Sequence, residues 1–356
     1  MNSSSDDKTT HVLVANPFAA HQQLLRERLY HVLTGLHPLL YADVIRALEE
    51  TGKLLAPSYK EHDASSGPPA GSWSLLTFLV AHHVDPQIDL FYASSVAVAV
   101  ECFICALDLL DDIEDDDLTP VVCDLGPARV LNVSTTLLTL AQKAILSLSA
   151  LEHVGAERIT SLLDVLQETT LTATAGQHRD LLAEQTSVLE FTHEECIEIA
   201  SAKAGSLMRL PCLLGAICAG GDQDLCQQFA ELGQMLGIAH QLDNDCHDLY
   251  HLLDGEASAT LSASTRAEKM NSKTDLIREK KTLPVVFAAK KRELDQQGQQ
   301  LVDKEEKKLS QSALQKGIIA AWGICLLYRE RARNCLQQIE NQRTVSPTLR
   351  CLLNLA

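Results

Sequence analysis

The chain has 356 residues, of which 46% are hydrophobic and 22% charged, enough apolar material for a sizeable core. With 47 acidic side chains against 30 Lys and Arg, its formal net charge is −17. That balance argues against a nucleic-acid partner, because phosphate backbones are held by basic patches.

Gly and Pro are sparse and strand-like alternation is almost absent. Apolar residues recur instead at helical spacing, as in Leu207, Leu210, Leu214, Ile217 and Cys218. This predicts an all-α chain of about a dozen helices. In chain order, Met1 to Thr10 is polar, carries no signal-peptide pattern and reads as a disordered tail (1–10) ahead of a single all-α domain over 11–356. Ala56 to Ser72 is rich in Ser, Pro and Gly and reads as a surface loop. Val96 to Leu107 should be a buried helix. Leu90 to Leu107 comes closest to a membrane span, but it carries Glu101 and runs into acidic residues, so no stable membrane insertion is expected. The eleven cysteines, among them Cys102, Cys105, Cys212 and Cys218, lie on apolar helix faces and read as small reduced hydrophobes of a cytoplasmic protein. Asp254 to Asp275, polar and rich in Ser and Thr, is a candidate lid, and Asp295 to Ser310 is a charged helix or connection.

Two acidic clusters carry the chemistry. Asp108 to Asp117 ends the apolar helix, and Asp243-Asn244-Asp245-Cys246-His247-Asp248 follows a second helical pattern. Carboxylates gathered at the end of a buried helix repel one another unless a cation joins them. On a helix, Asp111 and Asp115 share a face beside Asp112, and Asn244 and Asp248 share another with Asp245, while Gln241 lies one turn earlier. Oxygen-only sets of this kind suit Mg²⁺, or alternatively Mn²⁺, with a polyanion between the clusters. Such a polyanion also wants protein cations, for which Lys53, Lys203, Arg209, Lys280 and Lys281 are candidates.

The settings of these residues resemble the trans-isoprenyl diphosphate synthase (polyprenyl synthetase) family, over most of the chain and in the family's order. Gly52-Lys53-Leu54-Leu55-Ala56-Pro57 is similar to a degraded G-K-R-x-R-P. Glu101 with Asp111-Asp112-Ile113-Glu114-Asp115 resembles E…DDxxD, and Gly176-Gln177-His178-Arg179-Asp180-Leu181 resembles G-Q-x-x-D-L. Lys203 to Leu207 followed by Gly215-Ala216, Gly237 to Asp248 and Lys280 to Pro284 are similar to K-[TA]-x-x-L…G-A, G-x-A-F-Q-x-x-D-D-x-x-D and K-x-T-L-P. The resemblance implies a class I isoprenoid-synthase helical bundle around a deep apolar pocket, a prenyl diphosphate substrate, three Mg²⁺ ions and the homodimer common in the family. By position, Asp111 and Asp115 would bind two ions and Asp245 with Asp248 the third. Asp112 and Asn244 complete the two motifs, and Lys53, Lys203, Gln241 and Lys280 would hold the diphosphate. Ala106 and Leu107, just before the first motif, would form the pocket floor, with Phe103 and Gln177 on its wall. The absence of a large aromatic at the floor implies substrates or products of about fifteen to twenty-five carbons.

The sequence departs from the family where arginines are expected. Asp116-Asp117-Leu118-Thr119-Pro120 holds no Arg after the first motif, and Leu54 and Ala56 replace Arg in the first stretch. A second diphosphate would lack bidentate guanidinium contacts, which disfavours chain elongation with isopentenyl diphosphate. The leading expectation is therefore a terpene cyclase that ionises one prenyl diphosphate, with Phe78, Phe91, Tyr92, Phe103 and Tyr250 as candidate cation-steadying rings. Alternatives are prenyl transfer to another acceptor, as in the family subgroup that prenylates a peptide Trp, ordinary elongation, and a regulatory subunit.

Overall fold

The computed structural model describes residues 16–56, 69–255, 280–296, 309 and 311–353. The expected tail at 1–10, most of the surface loop, most of the candidate lid and most of 295–310 lie outside them. Among the described residues the regular structure is helical throughout, as the apolar spacing predicts. In order the α-helices are α1 (Ala19–Leu33), α2 (Pro38–Glu50), α3 (Ser72–Val84), α4 (Leu90–Glu114), α5 (Pro120–Leu125), α6 (Pro127–Leu146) and α7 (Ala156–Ala183). Then come α8 (His193–Ala200), a π turn (Ser201–Gly205), α9 (Ser206–Cys218), α10 (Gln223–Gly255), α11 (Leu283–Gln296), α12 (Gln311–Gln342) and α13 (Pro347–Leu353).

Helix α4 is the spine. Asp89 caps its start by accepting the Tyr92 N–H at 2.8 Å, and every side chain from Tyr92 to Ala106 is buried. It packs against α3, α6 and α9. An 18-residue window within it has a mean hydropathy of 2.0, enough to cross a bilayer by composition, yet 83% of that window is buried in the bundle. An apolar helix covered on all sides by other helices is a core helix. A second apolar cluster joins α8, the later part of α10, α11 and α12 through Ile199, Leu242, Cys246, Val286 and Ile318.

Two glycines set how closely helices meet at the π turn. A Cβ on Gly176 of α7 would lie 2.8 Å from the Ala202 methyl, and one on Gly237 of α10 would collide with the Ala204 carbonyl. Backbone can approach this nearly only where no side chain intervenes. The π turn is thus gripped between α7 and α10. Its extra residue per turn re-aims the side chains it carries, Lys203 among them.

Candidate active site

The acidic end of α4 is shaped by its own stop signal. Asp117 N–H bonds Asp112 C=O at 2.8 Å and Asp116 N–H bonds Ile113 C=O at 3.2 Å, with Asp116 at φ +53°. This is a Schellman closure with Asp in the left-handed position that glycine usually fills. The chain turns out of the helix directly after Asp115. Thr119 then caps α5 and donates to Asp112 at 3.0 Å. Asp112 is thereby tied sideways, while Asp111 and Asp115 face the neighbouring helices.

Two lysines from distant segments converge there. Lys203 Nζ lies 2.8 Å from Asp180 and 3.6 Å from Asp111. Lys280 Nζ lies 2.5 Å from Asp115, which is buried, and Gln177 donates to the other Asp115 oxygen at 3.4 Å. Burial works against the Lys203 charge, but Asp111 and Asp180 outweigh it and hold its pKa above the usual lysine value. The Asp111 side chain is still 47% exposed. Its carboxyl nevertheless sits low among protein atoms, and this desolvation pushes its pKa up to about 6, against the pull of Lys203. Asp112 is likewise pushed up to about 6, first by desolvation and then by neighbouring aspartates, with Thr119 opposing.

The second cluster lies on one face of α10. Gln241 donates to Asp245 at 2.8 Å, and Asn244 contacts the His240 ring one turn earlier at 3.1 Å. Asp245 is half-buried, whereas Asn244 and Asp248 are exposed. Asp243 points elsewhere, paired with Arg329 of α12 at 2.8 Å. Cys196 of α8 lies between this face and the segment that carries Lys280. Its thiol donates to the Lys281 carbonyl at 3.1 Å, next to Lys280, and the Asp245 charge reaches it as well. Lys281 itself is buried and donates to the Glu184 carbonyl at 3.4 Å.

The remaining expected residues lie on α4 or beside it. Lys53 is 4% exposed and pairs with Asp108 beside the first cluster. Phe103 and Ala106 are enclosed in the core, while Leu107 is half-buried one turn before Asp111 on the same face. Asp180 was not among the expected site residues. Its signal was present in the Gly176-to-Leu181 stretch, but only the fold shows that it braces Lys203.

Among the described residues, no three His, Cys, Asp or Glu side chains enclose a metal by themselves. The donors here are all oxygen, and the raised Asp111 and Asp112 pKa values mark charge that a hard cation would offset.

The polyprenyl synthetase family model matches residues 73–318, more than half of the chain and spanning both acidic clusters and both lysines. The chain belongs to the polyprenyl synthetase family. It is 33% identical over 186 residues to tryptophan prenyltransferase ComQ of Bacillus subtilis subsp. natto, covering 51% of this chain and 54% of that protein. It is 28% identical over 204 residues to a (2E,6E)-farnesyl diphosphate synthase of Mycobacterium tuberculosis, covering 57% and 51%. The chain thus spans about half the length of the curated relatives it matches. A geranylgeranyl pyrophosphate synthetase from the archaeon Geoglobus acetivorans superposes with a TM-score of 0.67 over 95% of both chains at 20% identity, which shows the shared all-α polyprenyl synthetase fold. The expected family and fold class are both borne out.

Proposed function

We propose that this chain is a Mg²⁺-dependent prenyltransferase that ionises an allylic diphosphate of the farnesyl or geranylgeranyl class and delivers the prenyl group to an acceptor other than isopentenyl diphosphate. One observation carries the reading. The cations that face the first cluster are lysines, enough for one diphosphate, and the first arginine after its motif, Arg129, is paired elsewhere. Lys203 and Lys280 face Asp111 and Asp115, whereas Arg129 pairs with Asp43, and Arg46 with Asp124. A second diphosphate would find few bidentate donors.

In this reading Asp111 and Asp115 of the first cluster and Asp245 and Asp248 of the second would hold Mg²⁺. The metal supplies Lewis-acid neutralisation of the departing diphosphate. Lys203, braced by Asp180, and Lys280 stabilise the charge that grows on the leaving group as the allylic C–O bond breaks and its electron pair goes to oxygen. Gln241 orients Asp245. The carbocation then bonds to an electron-rich carbon of the acceptor, which loses a proton to solvent. The tryptophan prenyltransferase named among the relatives supports an indole as that acceptor. Leu107, on the Asp111 face, borders the prenyl chain.

The cyclase reading rests on the same shortage of arginine, but the rings expected to steady a cation are placed poorly for it. Phe78 stacks with His82, Phe91 lies under the Arg28 guanidinium at 4.0 Å, and Tyr250 packs against Trp322. Tyr92 is 19 residues from Asp111 along α4, about 28 Å at the helical rise. The test incubates the protein with Mg²⁺ and farnesyl or geranylgeranyl diphosphate, alone, with isopentenyl diphosphate, or with a Trp-containing peptide. A prenylated peptide is expected. Longer diphosphates formed only with isopentenyl diphosphate would refute the proposal, and hydrocarbon from the single substrate would return the cyclase.

A further inference from the structure

An open surface groove of about 480 Å³ lies beside the π turn, and none of its lining residues belongs to the acidic clusters. Ser201 and Ala202 line it, but the adjoining Lys203 does not. Arg179 lines it, while its neighbour Asp180 holds Lys203. Consecutive helical residues diverge by roughly 100°, so the same two segments serve the groove on one side and the lysine on the other.

The lining has a definite chemistry. Ile197, Met235 and Ile238 give it an apolar floor. Arg179 is neutralised by Glu198 at 2.8 Å. Arg331, exposed at the rim, instead stands over the Tyr328 ring at 5.0 Å, and no ion pair to a carboxylate is seen for it among the described residues. An apolar floor with a guanidinium on an aromatic wall is complementary to an amphipathic anion. Gln234 joins the groove to the turn: it lines the space and donates to the Ser201 carbonyl at 3.0 Å and the Ser201 hydroxyl at 2.7 Å. A π turn carries one residue more than the α-helix it interrupts, so a return to α register would swing Lys203 away from Asp111.

We propose that this groove binds a small amphipathic anion, its chain on Ile197, Met235 and Ile238 and its head on Arg331, and that occupancy fixes the π turn and so strengthens the hold of Lys203 on a diphosphate. The coupling clause rests on the function proposed above; the binding clause does not. Lipid phosphates and fatty acids share this chemistry. Dodecyl phosphate, dodecanoate and neutral dodecanol are therefore titrated calorimetrically below micelle formation into the full chain in EDTA. Both anions are expected to bind one per chain, at least tenfold tighter than dodecanol, and the tighter of the two identifies the natural head group. Arg331→Ala should weaken the anions at least fivefold and leave dodecanol unchanged, and Met235→Trp should abolish binding by filling the floor. Equal anion affinity in wild type and Arg331→Ala, or binding that survives in Met235→Trp, overturns the site. With Mg²⁺ present, saturating anion should raise affinity for farnesyl thiodiphosphate severalfold; unchanged affinity overturns the coupling. Failure of the thiodiphosphate to bind at all would instead count against the proposed function, with the titrations in EDTA still deciding the groove.

Discussion

Replacing Glu101 by Ala tests how the first cluster is anchored. Glu101 is fully buried on α4, and its two oxygens accept the backbone N–H of Leu54 at 2.7 Å and of Ser74 at 2.9 Å. One carboxylate thereby pins both ends of the 54–74 stretch and lies near Lys53, which pairs with Asp108. Alanine would strand two buried N–H groups, each costing about 1–3 kcal/mol, and remove part of the Lys53 counter-charge. Against this stands relief of the cost of burying a charge, which is real because desolvation raises the Glu101 pKa. The balance is a loss of about 3–5 kcal/mol. Gln keeps the shape and one acceptor oxygen, so Glu101→Gln should lose only about 1–2 kcal/mol. The sign with pH follows from the raised pKa. The folded state holds this proton more tightly than the unfolded state, so wild type should gain on Glu101→Gln as the pH falls towards the ordinary glutamate range. Urea unfolding followed by circular dichroism gives the midpoints at constant slope. Stability of Glu101→Ala within about 1 kcal/mol of wild type, or Gln as damaging as Ala, would refute the anchoring argument.

Three further outcomes follow from the site. Lys203→Met should lower kcat/KM for the allylic diphosphate by about 10²–10³, since it removes a donor aimed at the leaving group; steady-state diphosphate release measures it. Gly237→Ala should cost about 2–3 kcal/mol, because the new methyl meets the Ala204 carbonyl, and thermal unfolding reads the loss. Asp116→Gly should stabilise by about 0.5–1 kcal/mol, because glycine carries no strain at φ +53°, with activity unchanged in the same release assay.

Local patterning made much of this protein legible. The apolar periodicity of Leu207 to Cys218 is borne out as α9, and the greasy stretch before Asp108 as α4. The ordered motifs singled out Asp111, Asp115, Lys203 and Lys280, and the fold brings these four together. Contacts made only by long-range folding were not legible. Lys280 reaches Asp115 across 165 residues, and Glu101 is satisfied by backbone from two other segments. No local spacing encodes either. The π turn at Ser201–Gly205 was hidden because helical periodicity reads straight through it, and the close approach of Gly176 and Gly237 to it comes from other helices. The acidic continuation at Asp116 and Asp117 was read as a charge feature, yet part of its role is to close α4. Phe103 and Ala106, expected at the pocket, are both buried on α4.

The most direct measurement is diphosphate release from geranylgeranyl or farnesyl diphosphate with Mg²⁺ and a Trp peptide, comparing wild type with Asp111→Asn/Asp115→Asn. The account predicts release matched one-to-one by prenylated peptide, and a fall of at least about 10²-fold in the double variant and in EDTA. Undiminished release by the double variant would contradict it.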